Sequence, residues 1–122
     1  MKNYKELDVW MMSRKLVSQI YLASQNFPKE EMFGLKSQIR RAAVSIPSNI
    51  AEGCGRNHKR DAIQFFFIAR GSLYEVETQT YLANDLGYFD SSNTQELLQN
   101  TEQCRMILNG FIRYYESQIP KK

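Results

Sequence analysis

The chain has 122 residues, of which 43% are hydrophobic and 24% charged, and its formal net charge is +3. This balance is typical of one globular domain, and no apolar run approaches the roughly 20 residues that a membrane-spanning helix needs. The polar N-terminus MKNYKELD does not resemble a secretion signal, and two cysteines without such a signal are usually reduced, so we expect a cytoplasmic protein with free thiols.

Apolar residues recur at helical spacing from the start of the chain. They predict a first helix that ends before Pro28, and its apolar side is Leu7, Trp10, Val17, Ile20, Tyr21 and Phe27. A second helix is predicted to begin at Pro28, where Glu30 and Glu31 complement the positive helix end, and to end at Gly53 and Gly55. The apolar seam of this second helix is Leu35, Ile39, Ala42, Ile46, Ile50 and Gly53.

The second predicted helix contains Pro47. A proline in a helix interior lacks a backbone donor, crowds the preceding turn and costs about 3 kcal/mol relative to alanine. One arrangement is a kinked helix in which the hydroxyls of Ser45 and Ser48 serve the freed backbone groups. The other is a helix that stops and restarts, with Asn49 as N-cap and Glu52 closing a capping box. We favour the kink, but the sequence leaves both open.

A third helix is predicted from near Lys59 to Leu86, with Gly87 placed to end it. Its inner seam is Ala62, Phe66, Ala69, Leu73, Val76 and Ala83. A fourth helix follows the N-cap candidates at residues 90–93 and ends by Pro120. Its apolar stripe is Leu97, Thr101, Cys104, Leu108, Phe111 and Tyr115. No segment shows the sustained alternation that predicts a strand.

Four amphipathic segments with short connections predict an all-α, antiparallel up-down-up-down four-helix bundle, in one domain that spans residues 1–122. Small residues on the second and third helices are expected to let these two helices approach closely. That closeness offsets the cost of about 1 kcal/mol for a glycine in mid-helix. The small residues are Ala42, Ala43, Ser45, Ala69, Gly71 and Ser72.

Several motifs resemble the bacterial four-helix bundle family that is encoded by intervening sequences in 23S ribosomal RNA genes and is also labelled the S23 ribosomal protein family. SIPSNIAEG at 45–53 carries the resemblance, together with FPKEEMFGLKSQIRRAA at 27–43 and IARGSLYEVET at 68–78. LDVW at 7–10 and LGY at 86–88 extend it. The resemblance implies the same bundle fold. We assign a structural role to the following residues of these motifs: Arg41, Ser45, Pro47, Ser48, Asn49, Glu52, Gly53, Arg70, Gly71, Ser72 and Glu75.

Consecutive large apolar residues predict apolar surface. The phenylalanines at 65–67 cannot all face one interior on a helix that turns 100° per residue, so at least one points outward. For the same reason, we expect at least one of the tyrosines at 114–115 and at least one of residues 10–12 to point outward. We expect identical subunits to associate through this surface, although stacking of the rings on nucleobases is an alternative. The chain is also distantly similar to the accessory protein of diversity-generating retroelements, a ring of five bundles thought to hold nucleic acid and a reverse transcriptase, which implies a pentamer.

Basic residues concentrate in residues 36–70, where seven lysines and arginines stand against Glu52 and Asp61. Such a concentration predicts a surface for phosphates, and the segment GCGRNHKR at 53–60 is its best candidate. The candidate nucleic-acid-binding residues are Lys36, Arg40, Arg56, Lys59 and Arg60.

For the remaining arginines of this region, and for Arg40 as well, a structural role carries more weight. Arg41 shares a helical stripe with Glu52 and is expected to join it in a polar network. Arg70 is expected to pair with Glu75 or Glu77.

Catalytic and metal-binding patterns are weak. His58 is the only histidine, and no nucleotide-binding, nucleophile-elbow or zinc-protease motif occurs. Cys54, His58 and Cys104 could supply three metal ligands, but Gly55 is expected to interrupt the helix between the first two, and buried cysteines are the ordinary interpretation. We expect no enzymatic activity, no metal and no cofactor.

The sequence therefore predicts a non-enzymatic, oligomeric accessory protein that binds RNA or DNA, with structured RNA preferred. Cations from several subunits would capture the phosphate backbone. The alternative function is a protein-interaction scaffold that recruits a nucleic-acid enzyme through exposed aromatic residues. No membrane partner is expected.

Overall fold

Four helices, each packed against two neighbours, form the architecture. The computed structural model of the protein describes residues 3–120, and its helices are α1 (Asp8–Ala23), α2 (Leu35–Cys54), α3 (Lys59–Asp85) and α4 (Ser91–Ser117). Within those residues there is no strand, and no helix is long and apolar enough to cross a membrane. The main contacts join α1 to α2, α2 to α3, α3 to α4 and α4 to α1. This arrangement confirms the predicted all-α four-helix bundle.

The predicted apolar seams meet in one core, but the prediction for α1 is partly wrong: Tyr21 is 40% exposed, and the core includes Val9 and Leu16, which were not predicted. Leu16 and Ile20 of α1, the buried isoleucines of α2 and Phe66 of α3 all belong to this core. The Phe66 ring centroid lies 5.0 Å from Phe111 and 4.9 Å from Tyr115, both on α4. Such tilted and edge-on aromatic pairs stabilise a core beyond the apolar area they bury. The seam residues with 0% exposure are Ile20, Ile39, Ile46, Ile50, Phe66, Ala69, Leu73, Val76, Ala83, Thr101, Cys104 and Leu108.

The predicted start of the second helix at Pro28 is wrong. A 3-10 turn at Ser24–Asn26 follows α1, a second lies at Lys29–Glu31, and α2 begins only at Leu35. The reason is a side-chain cap: the backbone N–H of Leu35 donates to Oε1 of Glu31 over 2.9 Å. The Tyr88 hydroxyl donates to Oε2 of the same carboxylate over 2.9 Å, and this hydrogen bond raises the pKa of Tyr88. Glu31 therefore joins the α1–α2 connection to the α3–α4 connection.

α2 runs without interruption through Pro47, so the alternative of a stop and restart at Asn49 is wrong. The Asn49 side chain instead donates from Nδ2 to the Ser45 carbonyl (2.8 Å) and to Ser45 Oγ (2.9 Å). Ser72 of α3 also donates to Ser45 Oγ over 2.9 Å. These bonds form a small polar network between α2 and α3 beside the proline.

The end of α3 and the start of α4 lie where the sequence predicts them. Gly87 has a φ of +79°, a left-handed conformation that glycine adopts without strain. The N–H of Tyr88 donates to the Ala83 carbonyl and the N–H of Gly87 to the Asn84 carbonyl, which is the Schellman pattern of helix ends. Asp90 then caps α4 by accepting from the Asn93 N–H over 2.7 Å.

Two glycines have roles that the sequence did not predict. Gly53 lies inside α2 and does not end it, because the helix continues to Cys54 with Gly55 as its C-cap. A Cβ atom at Gly53 would lie 2.5 Å from the Phe66 ring and 2.9 Å from the Ala62 carbonyl oxygen. Gly71, expected at the α2–α3 contact, is exposed, and a Cβ there would meet nothing within 4 Å. Helix closeness therefore depends on Gly53 and not on Gly71.

We predict opposite effects for the same substitution at these two glycines. Gly71→Ala should raise the free energy of unfolding by about 1 kcal/mol, because alanine favours the helix and finds open space. Gly53→Ala should lower it by about 1–3 kcal/mol, because the methyl group overpacks the α2–α3 contact. Urea unfolding followed by circular dichroism measures both. Equal changes in the two variants would contradict the assigned contact.

The two cysteines are free and lie near the core. Burial raises the pKa of Cys104 to about 12, and burial also raises the pKa of Tyr115 to about 12. Burial raises the pKa of Cys54 too, partly offset by a hydrogen bond with Tyr115. These groups therefore stay protonated in the folded protein at neutral pH, which makes the thiols poor nucleophiles.

The raised pKa values predict a loss of stability in alkali. In the unfolded chain the Cys104 thiol ionises near pH 9, whereas in the folded protein it stays neutral to about pH 12. The unfolded state therefore loses its proton first, and the free energy of unfolding falls as pH rises through this window. Urea titrations at about pH 8 and about pH 11 should show a smaller fall for Cys104→Val than for the unsubstituted protein. An equal fall in both proteins would exclude a contribution from this thiol.

Candidate nucleic-acid interface

The five candidate nucleic-acid-binding residues lie at opposite ends of α2. That helix has 20 residues, so it is about 30 Å long at 1.5 Å per residue. The groove cluster, near its N-terminus, consists of Lys36, Arg40 and the neighbouring Arg41. The loop cluster, after its C-terminus, consists of Arg56, Lys59 and Arg60. A basic run that is continuous in sequence is therefore two clusters in space.

Arg40 holds α1 against α2. Its Nε donates to Ser24 Oγ over 2.9 Å, its Nη2 donates to the Tyr21 carbonyl over 3.0 Å, and its guanidinium lies 4.4 Å from the Tyr21 ring centroid. Both acceptors belong to the C-terminal end of α1, where carbonyl groups have no helical partner and favour a cation. The structure thus places Arg40 in the helix-end contact as well as on the basic surface.

The groove cluster borders an open cleft of about 470 Å³ between α1 and α2. Lys36 and Arg41 project from α2 beside the half-exposed Met32 and Val44. The residues that line this cleft are Tyr21, Met32, Lys36, Ser37, Arg40, Arg41 and Val44, and none of them is acidic. A cleft with three cations and no carboxylate attracts anions.

The loop cluster is the most exposed basic segment of the described chain, since every residue from 55 to 60 is exposed. Arg56 pairs with Glu52 over 2.9 Å and lies 4.5 Å above the Phe65 ring. Lys59 lies 5.8 Å from the Tyr115 ring centroid, and Arg60 donates to the Pro120 carbonyl over a long 3.4 Å contact. Lys59 and Arg60 have no carboxylate partner within residues 3–120. Their charges are therefore available to an anion.

Two predicted ion pairs are wrong. Glu52 pairs with Arg56, one turn further along the chain, and not with Arg41. Glu77 pairs with Arg105 over 3.0 Å, so it is not the partner of Arg70.

The predicted pairing of Arg70 with Glu75 is wrong as well. Arg70 donates to Asn109 Oδ1 over 3.1 Å and stacks 5.0 Å from Phe67. Asn109 belongs to α4, and the sequence alone could not show that it lies beside Arg70.

Two basic residues on α1, Arg14 and Lys15, were not predicted as candidates from the sequence. Tyr21 contacts Arg40, and Arg14 lies seven residues earlier on the same side of α1, stacked 4.8 Å from the Trp10 ring. Arg14 and Lys15 line a second cleft of about 510 Å³ together with Met11, Met12 and Ser18. The i, i+7 spacing places Arg14 and Tyr21 on the same side of α1. This spacing points to a basic surface only when α1 is known to pack against α2.

Charge is divided between the two halves of the bundle. α1 and α2 together carry five lysines and arginines against two carboxylates. α3 and α4 together carry five against seven. The positive potential therefore concentrates on the α1–α2 half, where both clefts lie, and at the adjoining loop cluster.

Large apolar side chains remain exposed, as the sequence predicted. Phe33 is 90% exposed and Tyr114 60% exposed. Within the phenylalanine triplet, Phe66 is buried, whereas Phe65 and Phe67 are half-buried beneath Arg56 and Arg70. Other exposed residues of this kind are Leu22, Met32, Ile68, Leu86 and Met106.

No cluster of three or more histidine, cysteine, aspartate or glutamate side chains with metal-binding geometry occurs in residues 3–120. The three candidate ligands have different surroundings: His58 is exposed, Cys104 is buried, and Cys54 is half-buried.

Comparison with known proteins gives one family and one fold. The family model described as 23S rRNA-intervening sequence protein matches residues 5–110. No curated protein matches the chain. A crystal structure from Bacteroides thetaiotaomicron VPI-5482, of a protein with unknown function from the S23 ribosomal protein family, is similar with a TM-score of 0.78 and 22% sequence identity. The likeness covers 85% of this chain and 97% of that chain, and at this identity it supports the fold.

Proposed function

Because the chain belongs to the 23S rRNA-intervening sequence protein family, we propose that it is a non-enzymatic, oligomeric accessory protein of the bacterial cytoplasm that binds the backbone of RNA or DNA. The observation that carries this proposal is the division of charge. Cations outnumber carboxylates on α1 and α2 and continue at the loop cluster, which includes Lys59 and Arg60 at the start of α3, whereas the rest of α3 and α4 carry three cations against seven carboxylates. A polyanion is the ligand that such a division attracts.

Electrostatic capture is the mechanism that these side chains support. Lys59 and Arg60 have no ion-pair partner among the described residues, so binding a phosphate does not require either to break one first. Arg56, held between Glu52 and the Phe65 ring, adds a guanidinium of fixed orientation. Phosphate contacts of this kind position the nucleic acid without reading its sequence.

Association of identical subunits completes the proposal. Phe33, Tyr114 and Met106 expose apolar surface that a partner subunit would cover. A ring would repeat the loop cluster around an axis, and several weak contacts held together bind far more tightly than one. A pentamer is the expected size, on the resemblance to pentameric rings.

A second candidate function is a protein-interaction scaffold, and the exposure of Phe33 favours it. This ring is 90% exposed on the connection that precedes α2. An aromatic anchor of this size suits the pocket of a partner protein. A nucleic-acid enzyme recruited through Phe33 would give the bundle an accessory role without direct nucleic-acid binding.

Charge reversal tests direct binding. Lys59→Glu and Arg60→Glu should each weaken the binding of a structured RNA about three- to tenfold at low salt and lower the slope of log affinity against log salt by about 0.7–0.9. Arg113→Glu is the matched control, since it reverses an exposed arginine on α4. Fluorescence anisotropy measures each affinity. If Lys59→Glu and Arg60→Glu both bind RNA as tightly as Arg113→Glu and the unsubstituted protein do, these loop-cluster cations have no part in binding.

The proposed oligomer predicts a particle mass several times that of the 14.3 kDa chain. Light scattering on the sample used for anisotropy should give this mass, and the protein should elute as one species. A 14.3 kDa particle at micromolar concentration would remove the ring from the proposal. Loss of a protein partner in Phe33→Ala, with RNA affinity unchanged, would instead favour the scaffold.

A further inference from the structure

We infer that the nucleic acid bound by this protein is a duplex, and that the duplex lies along the whole α1–α2 face. This inference rests on the proposed function and adds the ligand class and new contact residues. The α1–α2 face is defined here by three groups of cations, which in order along α2 are Lys36 with Arg40 and Arg41, then Arg14, and then Arg56.

The order follows from helix geometry. Tyr21 and Arg40 are in contact, and α1 runs opposite to α2. Arg14, seven residues before Tyr21, therefore lies about 10 Å from Arg40 toward the C-terminal end of α2, at 1.5 Å per residue. Arg56 lies beyond it, and Lys36 lies on the opposite side of Arg40. The cations thus span about 30 Å, with Arg14 in the gap between the groove cluster and Arg56.

This span matches a rigid double helix. One turn of B-form DNA measures about 34 Å, and phosphates follow one another every 3.4 Å or so along each strand. Three groups of cations spread over about 30 Å therefore face phosphates on either side of a groove within one turn. A single strand has no fixed phosphate spacing, so cations held at set separations give it charge attraction but no match of spacing.

The cations are held in place, which suits a ligand of fixed shape. Arg40 is fixed by two hydrogen bonds to α1, and Arg14 and Arg56 are each stacked on an aromatic ring. A cation that is already oriented loses less entropy when it binds a phosphate.

The same stacking disfavours a single strand. Proteins that bind single strands offer open aromatic faces on which successive bases stack. On this face the Trp10 and Tyr21 rings are each covered on one side by a guanidinium. Near this face, on the connection between α1 and α2, only the Phe33 ring is almost fully exposed. One ring cannot form a platform for several bases.

Carboxylates scarcely interrupt the α1–α2 face. Glu52 is neutralised by Arg56 at one end. Asp8, the single carboxylate of α1, lines a different cleft with Ile107 and Phe111 of α4. The face therefore presents positive charge to a phosphate backbone over its length.

Matched single substitutions test the inference on the full chain. The probes are a mixed-sequence 16-base-pair RNA duplex, about the length that shape-reading double-stranded RNA domains cover, and one of its strands alone. We expect the duplex to bind at least about tenfold more tightly than the single strand, since only the duplex engages all three groups of cations. Arg14→Glu and Arg41→Glu should each weaken duplex binding about three- to tenfold, while Arg113→Glu stays near the unsubstituted protein.

Conservative variants keep the test valid if a reversed residue disturbs folding. Arg14→Lys and Arg41→Lys retain the charge and should bind the duplex within about twofold of the unsubstituted protein. Arg40 is left unchanged, because its loss would loosen α1. Circular dichroism checks each variant for helix content.

Three outcomes overturn the inference. Equal or tighter binding of the single strand would do so, as would Arg14→Glu and Arg41→Glu matching Arg113→Glu. The third outcome concerns Phe33→Ala. If this variant loses more affinity for the single strand than Arg14→Glu and Arg41→Glu lose for the duplex, stacking on bases contributes more to binding than the cations of the α1–α2 face do. If only the loop-cluster variants weaken binding, the proposed function stands but the duplex inference is wrong. If neither the duplex nor the single strand binds, both the proposed function and the duplex inference are wrong.

Discussion

The contact between Gly53 and the Phe66 ring sets the spacing of α2 and α3, and the rest of the structure depends on that spacing. With no side chain at Gly53, the helix backbone meets the ring directly, and Phe66 is left free to pack against Phe111 and Tyr115 on α4. The Ser45–Ser72 hydrogen bond holds the same two helices further along. Because α2 carries three of the cations of the basic half, its position on α3 also decides where those charges lie.

Aromatic rings position most of the arginines. Arg14, Arg40, Arg56, Arg70 and Arg105 all lie within about 5 Å of a ring centroid. The stacked arginine covers apolar surface while its N–H groups keep access to acceptors. This arrangement makes the outward phenylalanines half-buried, and it turns flexible side chains into oriented donors. It also explains how a chain with so many aromatic residues presents basic clefts on its surface.

Helix content and core were predictable because the apolar seams repeat every three or four residues, and Gly87 and Asp90 have end-specific chemistry that local sequence shows. The start of α2 was not predictable in the same way. Its cap is the Glu31 side chain, four residues upstream, and the turn at residues 32–34 separates the two. The partners of Arg70 and Arg105 lie on another helix, so no local pattern shows them. Arg14 was missed for the same reason: its place on the basic face exists only after α1 docks on α2.

The two ends of the bundle are held unequally, and this has a thermodynamic consequence. At one end Glu31 ties both helix connections together. The other end has the loop cluster, the start of α1 and the end of α4, linked across the chain by contacts such as the long one from Arg60 to Pro120. Local opening should therefore begin at the loop-cluster end, where amide hydrogen exchange is expected to be fastest. A polyanion that contacts several of those elements would stabilise the folded form of this end. Ligand binding and suppression of local opening are therefore thermodynamically coupled.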